Sequence, residues 1–125
     1  MEEKAQAGAR FFQTQAIYDA DAFEAFVNRL AREGVAQGCA LLPGIIPIKS
    51  VRMATYMNDN VPGVDVPEWL IDRIANAESA ARENVGILAE LMQKIVPMAQ
   101  GFHIMAIGWE RYIPDILAAA DLPAR

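Results

Sequence analysis

A single cysteine, Cys39, and a single histidine, His103, stand in a chain of 125 residues. One cysteine excludes an internal disulfide and a Cys-rich zinc site, and it fits a reducing compartment. One imidazole excludes a metal site built on several histidines. Cationic side chains are also scarce: 11 Lys and Arg against 16 Asp and Glu leave a formal charge of −5. Without a basic stripe to neutralise phosphates, no nucleic-acid partner is expected. No apolar run reaches the roughly 18 residues of a membrane span, and Met1-Glu2-Glu3-Lys4-Ala5-Gln6-Ala7-Gly8 lacks the basic start and apolar centre of a signal peptide. A cytoplasmic protein with no membrane partner is the expectation. Also missing are G-x-G-x-x-G, a Walker loop, H-E-x-x-H, C-x-x-C and G-x-S-x-G. Generic signatures therefore nominate no catalytic residue and no metal ligand.

What the chain does have is apolar surface: 54% of its residues are hydrophobic and 22% charged, enough for one domain with a sizeable core. The first eight residues read as the end of a helix closed by Gly8, and Ala9 to Gln15 as a strand rich in aromatic residues. Asp21 with Glu24 makes a helix start, Phe23, Phe26, Val27 and Leu30 recur at helical spacing, and Gly34 stops the helix. Cys39 to Ile45 is a continuous apolar run, the pattern of a strand covered on both faces. Ser50 caps a short helix that Asn58-Asp59-Asn60 and Pro62-Gly63 break. Pro67 suits the first turn of another, and Ser79 precedes a longer one that runs to Pro97. Gly101 to Ile107 is the third strand, and Pro114 starts a last helix. The order α-β-α-β-α-α-α-β-α implies an α/β fold with parallel pairing through crossovers. Three strands are too few to close an eight-stranded barrel, so the domain reads as incomplete.

Among individual residues, His103 reads as a core or barrel-lining histidine and Cys39 as a small buried filler. Gln13 and Gln15 alternate with Phe12 and Thr14, so both amides share one face. Gln15, at the end of its strand, is placed either to meet a ligand with two donors and an acceptor or to bond a neighbouring loop. Met53, Met57 and Met105 read either as core or as the lining of an apolar pocket. Arg10, Lys49 and Arg52 are expected in solvent, and Glu83, Glu90 and Glu110 on wet helix faces.

The order of several short motifs carries more than any one of them. Lys4-x-x-x-Gly8-Ala9, Thr14-Gln15-x-x-Tyr18-Asp19, Pro43-Gly44-Ile45-Ile46-Pro47 and Phe102-His103-Ile104-Met105 resemble, in order and spacing, the closing part of the methylenetetrahydrofolate reductase barrel. Lys49 to Asn58, then Asn60-Val61-Pro62-Gly63 and Val66-Pro67, resemble the branch common in anaerobic and related bacteria that lack a regulatory domain. The resemblance covers almost the whole chain. It implies the C-terminal part of a partial (β/α)8 TIM barrel, namely its sixth, seventh and eighth strands with covering helices. It implies for the complete enzyme a flavoprotein of one-carbon metabolism and methionine biosynthesis, in which FAD relays hydride from NAD(P)H to 5,10-methylenetetrahydrofolate, giving 5-methyltetrahydrofolate.

The same resemblance implies site residues. Gln15 matches the glutamine that hydrogen-bonds the folate pterin, and Lys4 matches the lysine that contacts the FAD phosphate region. Met53 and Met57 align with a glutamine and a phenylalanine of the folate pocket, and Met105 and Ile107 with an aromatic residue and a leucine of the last strand. The family's acidic catalyst, the aspartate that tunes the flavin and most FAD ligands lie on earlier strands, so this chain by itself is expected to be inactive. Its partners would be folate and NAD(P)H in a complete barrel, and either the missing barrel half or further copies of itself in a homo-oligomer. A non-catalytic partial barrel that binds or regulates a partner through its exposed strand edges is the alternative.

Overall fold

Local signals set the element boundaries in the computed structural model, which describes residues 8, 10–34, 38–106 and 108–122. The described elements are β1 (Phe11–Ala16), α1 (Ala20–Glu33), β2 (Ala40–Ile45), α2 (Val51–Asn60), α3 (Glu68–Ala75), α4 (Ala80–Ile95), β3 (His103–Ile104) and α5 (Ile113–Ala120), with 3-10 turns at Val96–Met98 and Glu110–Tyr112. The helix expected before Gly8 lies outside the described residues. Ser50 and Ser79 cap α2 and α4, their hydroxyls accepting from the Met53 and Arg82 amides. Gly34 ends α1 in the left-handed region at φ 68°, a conformation that glycine adopts without a Cβ clash.

The first strand runs Phe11–Ala16 where the sequence reading has Ala9 to Gln15, and the second starts at Ala40, one residue after Cys39; three further differences have a physical reason. The cap of α1 is Asp19, not Asp21: the Asp19 carboxylate accepts from the Asp21 and Ala22 amides. The three polar residues 58–60 do not break α2, because the Asn60 amide folds back onto the Tyr56 carbonyl and that of Asn58 reaches across to Val66. The third strand is two residues long, not seven. Along β2, Leu41, Pro43 and Ile45 face β3, and Pro43 has no N–H to give. The Leu41 amide and carbonyl are both taken by Gln100, through its side chain at 2.7 Å and its backbone N–H at 3.2 Å. Pairing starts only at Gly44 opposite His103.

All strand pairs are parallel, in the order β1-β2-β3, as the alternation of strands and helices requires. One sheet face is covered by helices: Ile45 packs with Phe23 of α1, Leu88, Met92 and Ile95 of α4, and Ile116 of α5 in a buried cluster. A second cluster caps the C-terminal strand ends, where Ala16, Tyr18 and Ile48 meet Ala54 and Met57 of α2, Leu70 and Ile74 of α3, and Ile87 of α4. Arg73 ties α3 to α4 through Glu83 at 2.7 Å and Glu90 at 3.0 Å. The other sheet face carries Phe11 and Gln13, both exposed, with half-buried Leu42 and His103. Among the described residues, β1 and β3 each keep one unpaired edge.

Candidate functional site

The site begins with a missing side chain. A Cβ on Gly44 would lie 2.9 Å from the Thr14 carbonyl oxygen and 3.0 Å from that of Gln15, so only glycine lets β1 approach this closely. Opposite it, β1 bulges: Gln13 pairs with Leu42 but Ala16 pairs with Gly44, three steps against two. The Thr14 hydroxyl stabilises the bulge, donating to the Gln15 carbonyl at 2.8 Å and accepting from the Gly44 amide at 3.2 Å. The ladder resumes where Ile17 N–H donates to the Gly44 carbonyl.

Around this bulge lies a cavity of about 290 Å³, lined by residues 13–16 with Gly44, Ile46, His103 and Met105. Gln13 Nε2 stands 3.5 Å from His103 Nδ1. The Gln15 side chain is exposed, and among the described residues nothing holds its amide, leaving two donors and one acceptor open. Met105 is 40% exposed and also lines a neighbouring cavity of about 120 Å³ with Ile46, Pro47, Lys49, Met53 and Ala106. A third space of about 350 Å³ runs outside β1 along Ile17, Tyr18 and the apolar face of α1, sharing Thr14, Gln15 and Ala16 with the first. Gln15 thus stands on the wall between two openings.

The loop after β2 is held from behind. Asn84 is 2% exposed. Its carbonyl accepts from Ile48 N–H at 2.7 Å, and its amide donates to the Ile48 and Ala80 carbonyls, also at 2.7 Å. The Tyr18 hydroxyl donates to the Ile46 carbonyl at 2.8 Å, and burial pushes that phenol well above its usual pKa. At the rim, Lys49 Nζ lies 5.7 Å from the Trp109 ring centroid. The backbone N–H groups of Glu110 and Gly108 hold the Glu110 carboxyl below the usual range, with the Lys49 charge adding to them.

Of the residues nominated from sequence, Gln15, Met53 and Met105 line these joined cavities. Met57 is 7% exposed and sits in the core beneath α2, lining none of the three. Lys4 and Ile107 lie outside the described residues. Arg10, Lys49 and Arg52 are exposed, as are Glu90 and Glu110, whereas Glu83 is half-buried against Arg73. Cys39 is half-buried. Sequence reasoning missed the meeting of Gln13 with His103 and the support from Asn84. The second had a signal: Asn84 shares a stripe with Ile87, Leu88, Leu91 and Ile95, and a polar residue on a buried stripe needs a backbone partner. Among the described residues no three His, Cys, Asp or Glu side chains cluster to hold a metal, and no helix is long and apolar enough to cross a membrane.

Parallel strands with covering helices, and polar side chains gathered at the C-terminal strand ends, are the arrangement of a segment of a β/α barrel. The sequence profile of the family described as methylenetetrahydrofolate reductase matches residues 1–121, and the chain belongs to that family. It is 31% identical to methylenetetrahydrofolate reductase 2 of Schizosaccharomyces pombe over 96% of its length, and 31% identical to methylenetetrahydrofolate reductase (NADH) 1 of Zea mays over 94%. It spans about 20% of the length of each of these curated relatives. Among solved structures, it is similar to an uncharacterized protein from Clostridium thermocellum described as binding two copies of 5-methyl-5,6,7,8-tetrahydrofolic acid. The TM-score is 0.55 at 19% identity, over 94% of this chain and 44% of that one. That likeness is one of fold, and it agrees with a partial barrel.

Proposed function

We propose that this chain supplies the folate-side wall of a flavin-dependent methylenetetrahydrofolate reductase, which reduces 5,10-methylenetetrahydrofolate to 5-methyltetrahydrofolate with hydride from NAD(P)H. The observation that carries the reading is the open amide of Gln15, at a C-terminal strand end in a cavity that no charged side chain lines among the described residues. A primary amide presents donors and an acceptor side by side, which matches the alternating donors and acceptors on the edge of a reduced pterin. Met105 and Met53 supply polarizable apolar surface for the ring faces, and Met57 backs α2 from the core; Ile107 is kept as a folate-binding residue on the family resemblance alone. Family membership and the solved neighbour's reduced folate support the same substrate class.

The described residues do not fit FAD. Its diphosphate needs cationic side chains or a cluster of backbone N–H donors, and among the described residues Lys49 is the one cation that lines the three cavities. In this reading FAD is held by strands outside this chain, with Lys4 as this chain's contact. What this chain does is bind and orient the pterin and exclude water from its ring faces. The other strands pair with the free edges of β1 and β3, whether they come from the same polypeptide, a separate half or further copies.

The test is to assemble the chain with five preceding barrel strands, either fused or co-expressed. Flavin absorbance that survives gel filtration, together with NAD(P)H-dependent formation of 5-methyltetrahydrofolate, is the expected result. A folded assembly that stays flavin-free and inactive overturns the proposal.

A further inference from the structure

We propose that Gln13 and His103 form a second recognition element of the strand-end cavity, in which Gln13 fixes the imidazole so that His103 offers its Nε2–H to the polar edge of the bound ring. The inference rests on the folate reading above and adds a positioning residue to it. Gln13 and His103 are 90 residues apart in sequence and sit on β1 and β3. These strands flank β2, so they are about 9–10 Å apart. Two side chains meet over an intervening strand only where that strand leaves room, and His103 pairs directly with Gly44. The glycine that admits the β1 bulge therefore also opens the space in which amide and imidazole come within 3.5 Å.

The orientation of the amide sets the tautomer. With the amide NH2 turned toward the ring, Nδ1 is the acceptor and the imidazole N–H is Nε2–H, the tautomer we assign to the pair. The same wall carries Gln15 and Met105, and among the described residues no Asp, Glu, Lys or Arg lines this cavity. A ligand entering it meets two amides, an imidazole and a thioether. That set suits a heterocycle rich in donors and acceptors, because hydrogen-bonding side chains rather than carboxylates, ammonium or guanidinium groups face it.

His103 is the only histidine of the chain, so its ring nitrogens give unobstructed 15N NMR signals in the intact protein without ligand. The expected result is an Nε2–H ring in the wild type. Gln13→Glu, which puts an acceptor in place of the donor, is expected to draw a proton onto Nδ1, whereas Gln13→Met, similar in size and unable to donate, releases the bias. In the completed barrel, Gln13→Met is expected to weaken 5-methyltetrahydrofolate binding about three- to tenfold, the loss of one neutral hydrogen-bond arrangement, with Gln15→Ala weakening it independently. An Nδ1–H ring in the wild type, or ring signals indifferent to both Gln13 variants, overturns the proposal. So does wild-type affinity in Gln13→Met while Gln15→Ala remains weak, a result that leaves the folate reading standing. Binding unaffected by any of these variants overturns both.

Discussion

Replacing Asn84 by leucine keeps the side-chain volume but removes three hydrogen bonds of 2.7 Å from a residue that is 2% exposed. The Ile48 N–H and carbonyl then lie against α4 without a partner. Each buried orphan costs about 1–3 kcal/mol, so Asn84→Leu should destabilise the chain by about 2–6 kcal/mol, a large part of the 5–15 kcal/mol typical of a domain. Asn84→Asp separates hydrogen bonding from packing. Its carboxylate still accepts from Ile48 N–H but faces the Ile48 and Ala80 carbonyls, so burial and those oxygens raise the folded-state pKa of the introduced group. A carboxyl raised in the folded state favours folding below its unfolded pKa of about 4 and loses that advantage as pH rises toward the folded value. Asn84→Asp should therefore regain stability on acidification between about pH 7 and pH 4 relative to Asn84→Leu. Urea unfolding followed by circular dichroism, with m-values compared, measures both effects. A loss below about 1 kcal/mol in Asn84→Leu, less than one orphaned group, would refute the argument.

Gly44→Ala forces a methyl group against the Thr14 and Gln15 carbonyls; a loss of about 1–3 kcal/mol is expected in thermal unfolding, with folate binding weakened because Gln15 moves with the bulge. In the assembled enzyme, Gln15→Ala should raise the folate KM roughly five- to 150-fold through an unpaired pterin edge while leaving flavin reduction by NAD(P)H nearly unchanged; equal damage in stopped-flow measurements of both half-reactions contradicts its assignment. Tyr18 is held protonated by burial, so folding is undiminished below the unfolded phenol pKa of about 10 and weakens as pH rises above it. Tyr18→Phe should remove that alkaline slope in urea midpoints from pH 8 to 11, at a cost of about 1 kcal/mol at neutral pH for the lost bond to Ile46.

Features decided within a few residues were legible in the sequence. Gly34, Ser50 and Ser79 act through their own turns, and the strand–helix alternation followed from apolar spacing alone. The length of β3 was not legible, because it depends on Pro43 and on Gln100 occupying Leu41, contacts made across the sheet. In the site, the two-residue period grouped Gln13 with Gln15, but the bulge between Gln13 and Ala16 breaks that period, and both line the cavity along with Thr14 and Ala16; nothing local could bring His103 beside Gln13. Helical spacing grouped Met53 with Met57 without distinguishing them, and their burial separates them: one reaches the cavity beside Lys49, while the other is enclosed by α2 and its neighbours. Gly44 shows the same limit. Its motif was readable, but its role as the gap that admits β1 is a property of two strands together.

The inner face of this sheet joins the candidate site to barrel completion. Parallel sheets are ordinarily covered on both faces, yet here the helices cover one. Phe11, 57% exposed, and Met105, 40% exposed, remain open on the side that carries Gln13 and Gln15. The surface that would receive a pterin is therefore the surface that barrel closure would enclose. If the completing strands shield the same cavity, assembly and ligand binding must be linked: whatever factor assembly adds to folate affinity, folate adds to assembly affinity. Titrating the two parts with and without 5-methyltetrahydrofolate measures one factor, and ligand binding to the separate chain and to the assembly measures the other. Agreement between them is required by thermodynamics, so the informative quantity is their size. A factor near one would mean that the inner face is not the folate wall, since a wall enclosed by assembly cannot bind equally well when open.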